Sequence, residues 1–320
     1  MAESVIIASW VWENDNCTGD GRRLRLRMKN EMVFIINPLS GKSGKGPVRK
    51  QRIDAFIQSK GLKARSILTE RAGHATELAM QCVKEGAARV ICVGGDGTMN
   101  EVARVLVGTE ILFGLVPMGS GNGLARHLGI PLSFEEALEN ATSESVLRMD
   151  TGLANGHPFF NVMGIGLDAE VGMRFNRSRW RGFAAYIVLG LKTFAFYRSS
   201  HYVVESDGNR LALEVDLIVV ANSSQYGNDA FIAPDASLED GKLNMVAVEP
   251  FGLFAGLNLL RRVFSKTVYQ SAKVHALCSE AFTVKLSKPG PFHVDGEILE
   301  CEGEIDIRAR PKSLQIIVPS

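Results

Sequence analysis

The sequence predicts the α/β plus β fold class: an N-terminal doubly wound α/β domain followed by an antiparallel β-sandwich. In the first half, apolar strand-like runs alternate with helical patterns, which is typical of a parallel sheet with crossover helices. From about Met149 onward, strand-like runs follow one another with turn signals between them, which is typical of a sandwich. We therefore expect domains at residues 28–148 and 149–320, with the last strand free to return to the first domain.

The first half contains short apolar runs that end in small or polar residues. In a parallel sheet, ligands bind at the carboxyl ends of the strands, and the glycine-rich turns of this half all fall there. A capping box, Ser133 to Glu136, opens the last helix of this half. Strands are predicted at 33–36, 64–68, 89–93 and 113–117, and helices at 47–60, at 73–84, after Thr98 and after Ser133.

The second half contains repeated strand-like runs joined by turn residues. Asn155-Gly156 is a strong hairpin signal, and Asp207-Gly208-Asn209 separates two further runs. Strands are predicted at 151–154, 158–163, 201–205, 211–221, 243–248, 282–286, 292–294, 304–308 and 313–318.

The composition narrows the class of protein. Hydrophobic residues make up 46% and charged residues 22%, as in soluble globular proteins, and the net charge of +1 argues against a nucleic-acid partner. The five cysteines are scattered without a C-x-x-C pair, so we expect reduced thiols in the cytoplasm and no zinc site. No apolar run reaches the roughly 18–20 residues that span a bilayer. Residues 1–27 are expected to be an extension outside the main fold.

The most informative motif is the turn of residues 94–100, which follows the apolar run 90–93 and precedes a helical pattern. Glycines let a ligand approach the backbone closely, and a helix N-terminus favours phosphate. Asp96 cannot neutralise phosphate, so we expect it to hold a metal ion or to accept a proton from a hydroxyl group. The turn therefore indicates phosphoryl transfer from a nucleotide. Its residues are Gly94, Gly95, Asp96, Gly97, Thr98, Met99 and Asn100.

Two other glycine-rich turns end predicted strands. The turn from Asn37 to Gly46 can line a nucleotide site or be a flexible loop, and it is not a P-loop because Ile36 stands where the first glycine is required. The turn of residues 118–126 fails the dinucleotide pattern at Leu124, yet Ser120, Gly121 and Asn122 still allow close approach of a phosphate or ribose.

Carboxylates cluster at three places in the second half. Asp295 and Glu297 share a face if their segment is extended, or lie in an exposed polar turn at a hairpin. Residues 233–243 hold three carboxylates that suit Mg²⁺ or Ca²⁺ or form a solvated turn. Asp168 either faces the cleft with Glu170 or caps a helix.

Two apolar segments have basic neighbours. Residues 183–194 follow Arg174, Arg177, Arg179, Trp180 and Arg181, and residues 251–260 precede Arg261, Arg262 and Lys266. Each is either a core helix or a helix on an anionic membrane surface, and their occurrence as a pair favours a lipid substrate.

In this order, the motifs at 94–100, 117–125, 161–168, 234–243 and 294–297 resemble the diacylglycerol kinase catalytic-domain superfamily, which includes bacterial soluble lipid kinases and the sphingosine kinases. The resemblance runs from about Val33 to Val318. The Gly-Gly-Asp-Gly tetrad alone is also similar to NAD kinase and phosphofructokinase. The resemblance implies a nucleotide-binding α/β domain of that type, a β-sandwich lipid domain and ATP in the cleft.

The resemblance also implies roles for individual residues. Gly94 to Asn100 would hold the ATP phosphates, and Ser120 and Thr69 would contact the nucleotide. Asp240, with the carbonyl groups of Ser237 and Lys242, would form a structural magnesium site. The proton acceptor would be Glu297 by likeness to the bacterial members or Asp96 by likeness to the sphingosine kinases, and we retain both, with Asp295 as partner.

We therefore predict an ATP- and Mg²⁺-dependent lipid kinase that acts on diacylglycerol or a sphingoid long-chain base. It would be a cytoplasmic protein in peripheral contact with the anionic inner face of the membrane, without nucleic acid, and a homodimer is left open. The alternatives are a soluble NAD kinase, which would not need the basic and apolar segments, and a non-catalytic regulator that binds lipid or nucleotide.

Overall fold

The computed structural model describes residues 31–41, 46–178, 183–194 and 196–320. Three features of the sequence analysis lie outside these residues: the predicted extension at 1–27, the part of the first glycine-rich turn at 42–45, and Arg179, Trp180 and Arg181.

The first half forms the predicted parallel sheet with helices on both faces. One face packs on the second and third helices of this half through Leu78, Val102 and their neighbours, and the other face packs on the first and fifth helices through Ile53 and Leu138. The strands run in the order β2-β1-β3-β4 and are β1 (Met32–Ile36), β2 (Ala64–Leu68), β3 (Arg89–Gly94) and β4 (Leu112–Pro117). The helices are α1 (Gly46–Ser59), α2 (His74–Glu85), α3 (Asp96–Leu106), α4 (Gly123–His127) and α5 (Phe134–Ala141).

The second half forms the predicted β-sandwich. A six-stranded antiparallel sheet in the order β12-β11-β10-β7-β14-β15 packs on strands of a larger sheet, and the apolar side chains between them, Phe159, Phe282 and Phe292 among them, are almost completely buried. The strands are β5 (Val146–Ala154), β6 (His157–Phe159), β7 (Val162–Gly166), β8 (Ser200–Ser206), β9 (Asn209–Val215), β10 (Leu217–Ala221), β11 (Leu243–Val248), β12 (Val274–Ser279), β13 (Ala281–Leu286), β14 (Gly290–Val294), β15 (Glu297–Cys301) and β16 (Glu304–Ile317).

The two halves share one sheet through β16. This strand pairs in parallel with β4 at Ile316 and Phe113, and antiparallel with β5 and β13, so a ten-stranded sheet runs through both halves. The sequence predicted two strands here, whereas the structure has one long strand with an irregular register between Arg310 and Leu314. The cleft between the halves is therefore held by a continuous backbone ladder.

Three helices of the second half lie near this cleft: α6 (Leu167–Arg177), α7 (Phe183–Phe194) and α8 (Leu253–Phe264). Asp216, which splits the predicted strand 211–221 into two, is buried and anchors them: its Oδ1 accepts from Ser199 Oγ at 2.8 Å, its Oδ2 from Phe251 N at 3.3 Å, and its carbonyl from Leu167 N at 2.9 Å. Among the described residues, no helix is both long and apolar enough to cross a bilayer.

Candidate active site

A cavity of about 860 Å³ opens at the carboxyl end of the parallel sheet, between the two halves. Its polar end is lined by Asp96, Gly97, Asn100, Ser120 and Gly121, all of which the sequence analysis selected. Its other end is apolar and is enclosed by α6, α7 and α8. The apolar lining includes Leu167, Val171, Phe175, Phe194, Phe251, Leu259, Leu260 and Val263.

The turn of residues 94–100 places Asp96 at the first residue of α3, three residues before the helix start that the sequence predicted, after Thr98. The Asp96 carboxylate accepts backbone N–H groups from the neighbouring glycine-rich turn: Oδ2 from Asn122 at 2.9 Å and Oδ1 from Gly123 at 3.1 Å. Burial raises the pKa of Asp96, while these two hydrogen bonds oppose the rise. Asp96 therefore joins the ends of β3 and β4 and also faces the cavity.

The glycines of the two turns let the turns pack closely against each other and leave open space at the start of α3. A Cβ atom on Gly119 would lie 2.9 Å from Gly95 Cα, and one on Gly121 would lie 3.0 Å from Asp96 Oδ2, so side chains at these positions would fill the turn. Beyond Gly97, in contrast, a Cβ atom would meet nothing within 4 Å. The first turn of α3 thus presents free N–H groups to open space, which fits the phosphates of ATP.

Three other residues of the predicted nucleotide site do not line the cavity: Asn37, Thr69 and Gly94. Asn37 Nδ2 donates to Thr98 Oγ1 at 2.8 Å and ties the end of β1 to α3. Gly94 is buried against Thr98, because a Cβ atom there would lie 2.6 Å from Thr98 Cβ. Thr69 is buried at the end of β2, where its N–H donates to Ile36 O at 2.8 Å, and it does not line the cavity.

Asp295 and Glu297 do not share a face of an extended strand. Asp295 and Gly296 form the two-residue turn between β14 and β15, with φ of 48° and 85°, so the segment is a hairpin turn, although Asp295 is not exposed as that alternative expected. The Asp295 carboxylate accepts three backbone N–H groups, from Phe160 at 2.7 Å and from Asn161 and Val162 at 2.9 Å each. Burial raises the pKa of Asp295 to about 6 against the effect of these bonds.

Glu297 lines the cavity and forms an ion pair that sequence reasoning missed. Arg104 Nη2 donates to Glu297 Oε2 at 2.5 Å, which connects α3 to the β14–β15 hairpin. The spacing of Arg104 is the one signal that could have indicated it. Asp96, Asn100 and Arg104 stand at positions i, i+4 and i+8 of the helix and therefore share one face.

A second group of polar side chains was only partly predicted. His293 Nε2 lies 2.9 Å from Asp168 Oδ2, and Tyr226 Oη donates to the same oxygen at 2.9 Å. Because Gly296 N–H donates to His293 Nδ1 at 3.3 Å, the ring proton belongs on Nε2. Asp168 therefore lies on the cavity wall and does not cap α6, whose N-cap is Gly166.

The predicted magnesium loop lies apart from the cavity. Asp240 is exposed and accepts Lys242 N–H at 2.9 Å, and neither it nor Ser237 nor Lys242 lines the cavity. A carboxylate that the sequence analysis did not select, the buried Asp150, holds this loop by accepting Gly241 N–H at 2.6 Å. One carboxylate with backbone carbonyl groups is a ligand set that Mg²⁺ accepts. Across the described ranges, no three His, Cys, Asp or Glu side chains converge on a metal-sized site.

Comparisons with known proteins agree with this architecture. The model of the diacylglycerol kinase catalytic domain matches residues 31–154, and that of the YegS C-terminal NAD kinase beta sandwich-like domain matches residues 161–318. The diacylglycerol kinase of Bacillus subtilis is 30% identical over 269 residues, which is 82% of this chain and 88% of that protein. The diacylglycerol kinase of Mycobacterium tuberculosis is 27% identical over 308 residues, or 93% and 98% of the two chains.

A crystal structure of a diacylglycerol kinase from Bacillus anthracis has the same fold, with a TM-score of 0.70 over 90% of this chain and 97% of that one, at 19% identity. The two domain models together span the turn at 94–100, the hairpin that carries Glu297 and the cavity between them. The chain therefore belongs to the diacylglycerol kinase catalytic-domain family of lipid kinases.

Proposed function

We propose that this protein is an ATP- and Mg²⁺-dependent lipid kinase that phosphorylates a hydroxyl group of diacylglycerol or of a sphingoid long-chain base. The observation that carries the proposal is a continuous cavity that joins the glycine-rich turns to an apolar chamber. A soluble kinase for a polar nucleotide has no use for a chamber lined by residues such as Phe175, Phe194 and Leu260.

The polar end suits in-line phosphoryl transfer. When bound, ATP supplies the γ-phosphoryl group and Mg²⁺ neutralises the charge that develops on it. The N–H groups at the start of α3 hold phosphate oxygens, and Asp96 holds the metal ion or takes the proton. The acceptor hydroxyl oxygen forms a bond to the γ-phosphorus as the bond from that phosphorus to the bridging oxygen breaks. ADP leaves with the electron pair, and the hydroxyl proton passes to a carboxylate.

Two carboxylates can receive that proton. Asp96 lies at the phosphate end, and burial raises its pKa, which makes it a better base. Glu297 lies at the hairpin and is the more exposed of the two. The Asp295 carboxylate holds the hairpin in place by accepting three hydrogen bonds from backbone N–H groups, so Asp295 is a positioning residue.

The apolar end suits the hydrocarbon part of a lipid. Phe194 of α7 and Phe251, just before α8, stack with ring centroids 4.7 Å apart, and both line this end of the cavity. The names of the relatives favour diacylglycerol as the acceptor. The carboxylates that line the cavity suit the amine of a sphingoid base, which is the second candidate.

The outer face of α8 suits the lipid surface from which the substrate comes. Phe254 is 87% exposed and Leu257 47% exposed, and Arg261 follows on the same face at helical spacing. The opposite face of α8, with Leu259, Leu260 and Val263, lines the cavity. An apolar face with a cation beside it matches the anionic inner face of a membrane, where we place this cytoplasmic protein.

Purified protein assayed with radiolabelled ATP tests the proposal. The acceptors would be diacylglycerol, monoacylglycerol, sphingosine, ceramide and undecaprenol in mixed micelles, and NAD in a separate reaction. Magnesium-dependent label in one lipid supports the proposal and identifies the branch. Label in NAD alone makes the protein a NAD kinase, and ATP binding without label in any acceptor makes it a regulator. A parallel series with EDTA and with Asp240→Ala separates the catalytic need for Mg²⁺ from the structural site.

A further inference from the structure

The charges along the cavity are unevenly distributed. Five carboxylates line it, and each is hydrogen-bonded: Asp96, Glu101 and Asp295 by backbone N–H groups, Asp168 by Tyr226 and His293, and Glu297 by Arg104. Within the described part of the chain, Arg104 is the only lysine or arginine in this lining. Its position therefore affects any reaction that takes place in the cavity.

The guanidinium group of Arg104 is fixed at two points. Nε donates to Asn100 O at 3.2 Å, within the same helix, and Nη2 donates to Glu297 Oε2 at 2.5 Å across the cleft. The planar fork of arginine allows both bonds at once, whereas a lysine ammonium group offers one point of charge. Glu297 is consequently held at a set position relative to α3 and to Asp96 at the start of that helix.

The ion pair contributes little to folding. The side chains of Arg104 and Glu297 are 32% and 45% exposed, and ion pairs with this exposure are screened by solvent and add little to stability. A partly solvated ion pair that bridges the two halves of the site therefore has more effect on geometry than on stability.

We propose that Arg104 is a positioning residue that aligns Glu297 with the acceptor hydroxyl group; this inference rests on the proposed lipid kinase function. Oε2 of Glu297 accepts the hydrogen bond from Arg104. Within the described residues, Oε1 of Glu297 accepts no hydrogen bond, so Oε1 is the oxygen that faces the hydroxyl group of the lipid. The nucleotide end of the site lies two helical turns away, at Asp96, and does not depend on this alignment.

Steady-state kinetics of four variants test the proposal: R104M, R104K, E297Q and the double variant R104M/E297Q. We expect R104M to lower kcat with the lipid acceptor by roughly ten- to a hundredfold while KM for ATP stays within about twofold. R104K should recover part of the loss. Because Arg104 acts through Glu297, the double variant should be no slower than E297Q, and so the two effects should not add.

The control is R148M, which removes a surface ion pair with Glu110 outside the cavity and should leave the kinetics unchanged. Additive losses in the double variant would overturn the proposal and assign Arg104 to the phosphoryl group itself. A rise in KM for ATP at constant kcat, or no change in R104M, would also overturn it. Failure of the wild-type protein to label any lipid would instead overturn the proposed function, and this inference with it.

Discussion

Asp168 Oδ2 and His293 Nε2 lie 2.9 Å apart in the wall of the cavity, and both side chains are more than nine-tenths buried. The contact joins α6 to β14, which carries the hairpin of Glu297. It depends on a third residue, Gly164 of β7, which lies directly beneath both side chains. A Cβ atom at Gly164 would be 2.3 Å from Asp168 Oδ2 and 2.4 Å from His293 Nε2.

We expect Gly164→Ala to lower the free energy of unfolding by about 1–3 kcal/mol, because the new methyl group must displace two buried polar side chains. Denaturant unfolding monitored by circular dichroism measures this change. Gly303→Ala is the matched control, since a Cβ atom there meets nothing within 4 Å, and it should be close to neutral. Equal stability of the two variants would show that the Asp168–His293 contact is not constrained by Gly164.

We expect Asp96→Asn to lower phosphoryl transfer by roughly a thousandfold while the protein still folds. The amide keeps the shape of the carboxylate but removes the charge and the capacity to take a proton. It also turns one acceptor of a backbone N–H group into a donor, so a small loss of stability is expected. Activity per folded molecule is the measurement, and normal turnover would contradict the assignment of Asp96 to the site.

Local patterns explain why the strand, turn and helix around Asp96 could be predicted from sequence. The spacing of Gly94, Gly95 and Gly97 around Asp96 encodes a strand, a turn and a helix within ten residues, and the structure has all three. The parallel sheet and the sandwich follow from the same kind of local alternation.

Contacts between residues distant in sequence explain what could not be predicted. Arg104 and Glu297 are 193 positions apart, and no pattern near either one indicates the other. The place of Asp295 in a turn was easier to predict, because Asp-Gly is a common two-residue hairpin turn. Its three backbone partners, however, belong to the segment 160–162, which only the folded sheet brings alongside.

The stability contributed by Asp295 should fall as the pH rises from about 4 to about 6. Burial raises the pKa of Asp295 from 3.8 to about 6, so the native state binds more protons than the unfolded state between these values. The Asp295 carboxyl group favours folding below this window and disfavours it above. The change is at most about 1.4 kcal/mol for each unit by which the native and unfolded pKa values differ.

Comparison of the wild-type protein with Asp295→Asn in urea, at several pH values, measures this term as the pH-dependent part of their difference in unfolding free energy. The amide lacks one of the two oxygens that accept N–H groups, so the variant should be less stable at every pH. A slope of the opposite sign would mean that the three N–H groups lower the pKa by more than burial raises it.

Phe254→Asp should weaken binding to anionic vesicles by roughly tenfold or more, because a phenylalanine that would enter the lipid surface is replaced by a charge of the same sign as the lipid. Phosphorylation of a lipid presented in such vesicles should fall in parallel. Transfer to a dispersed short-chain acceptor should fall far less, since Phe254 does not line the cavity. Leu132→Asp serves as control, because Leu132 is 44% exposed and lies outside α7 and α8. Cosedimentation with vesicles gives the affinity, and equal losses in both variants would mean that α8 has no special role at the membrane.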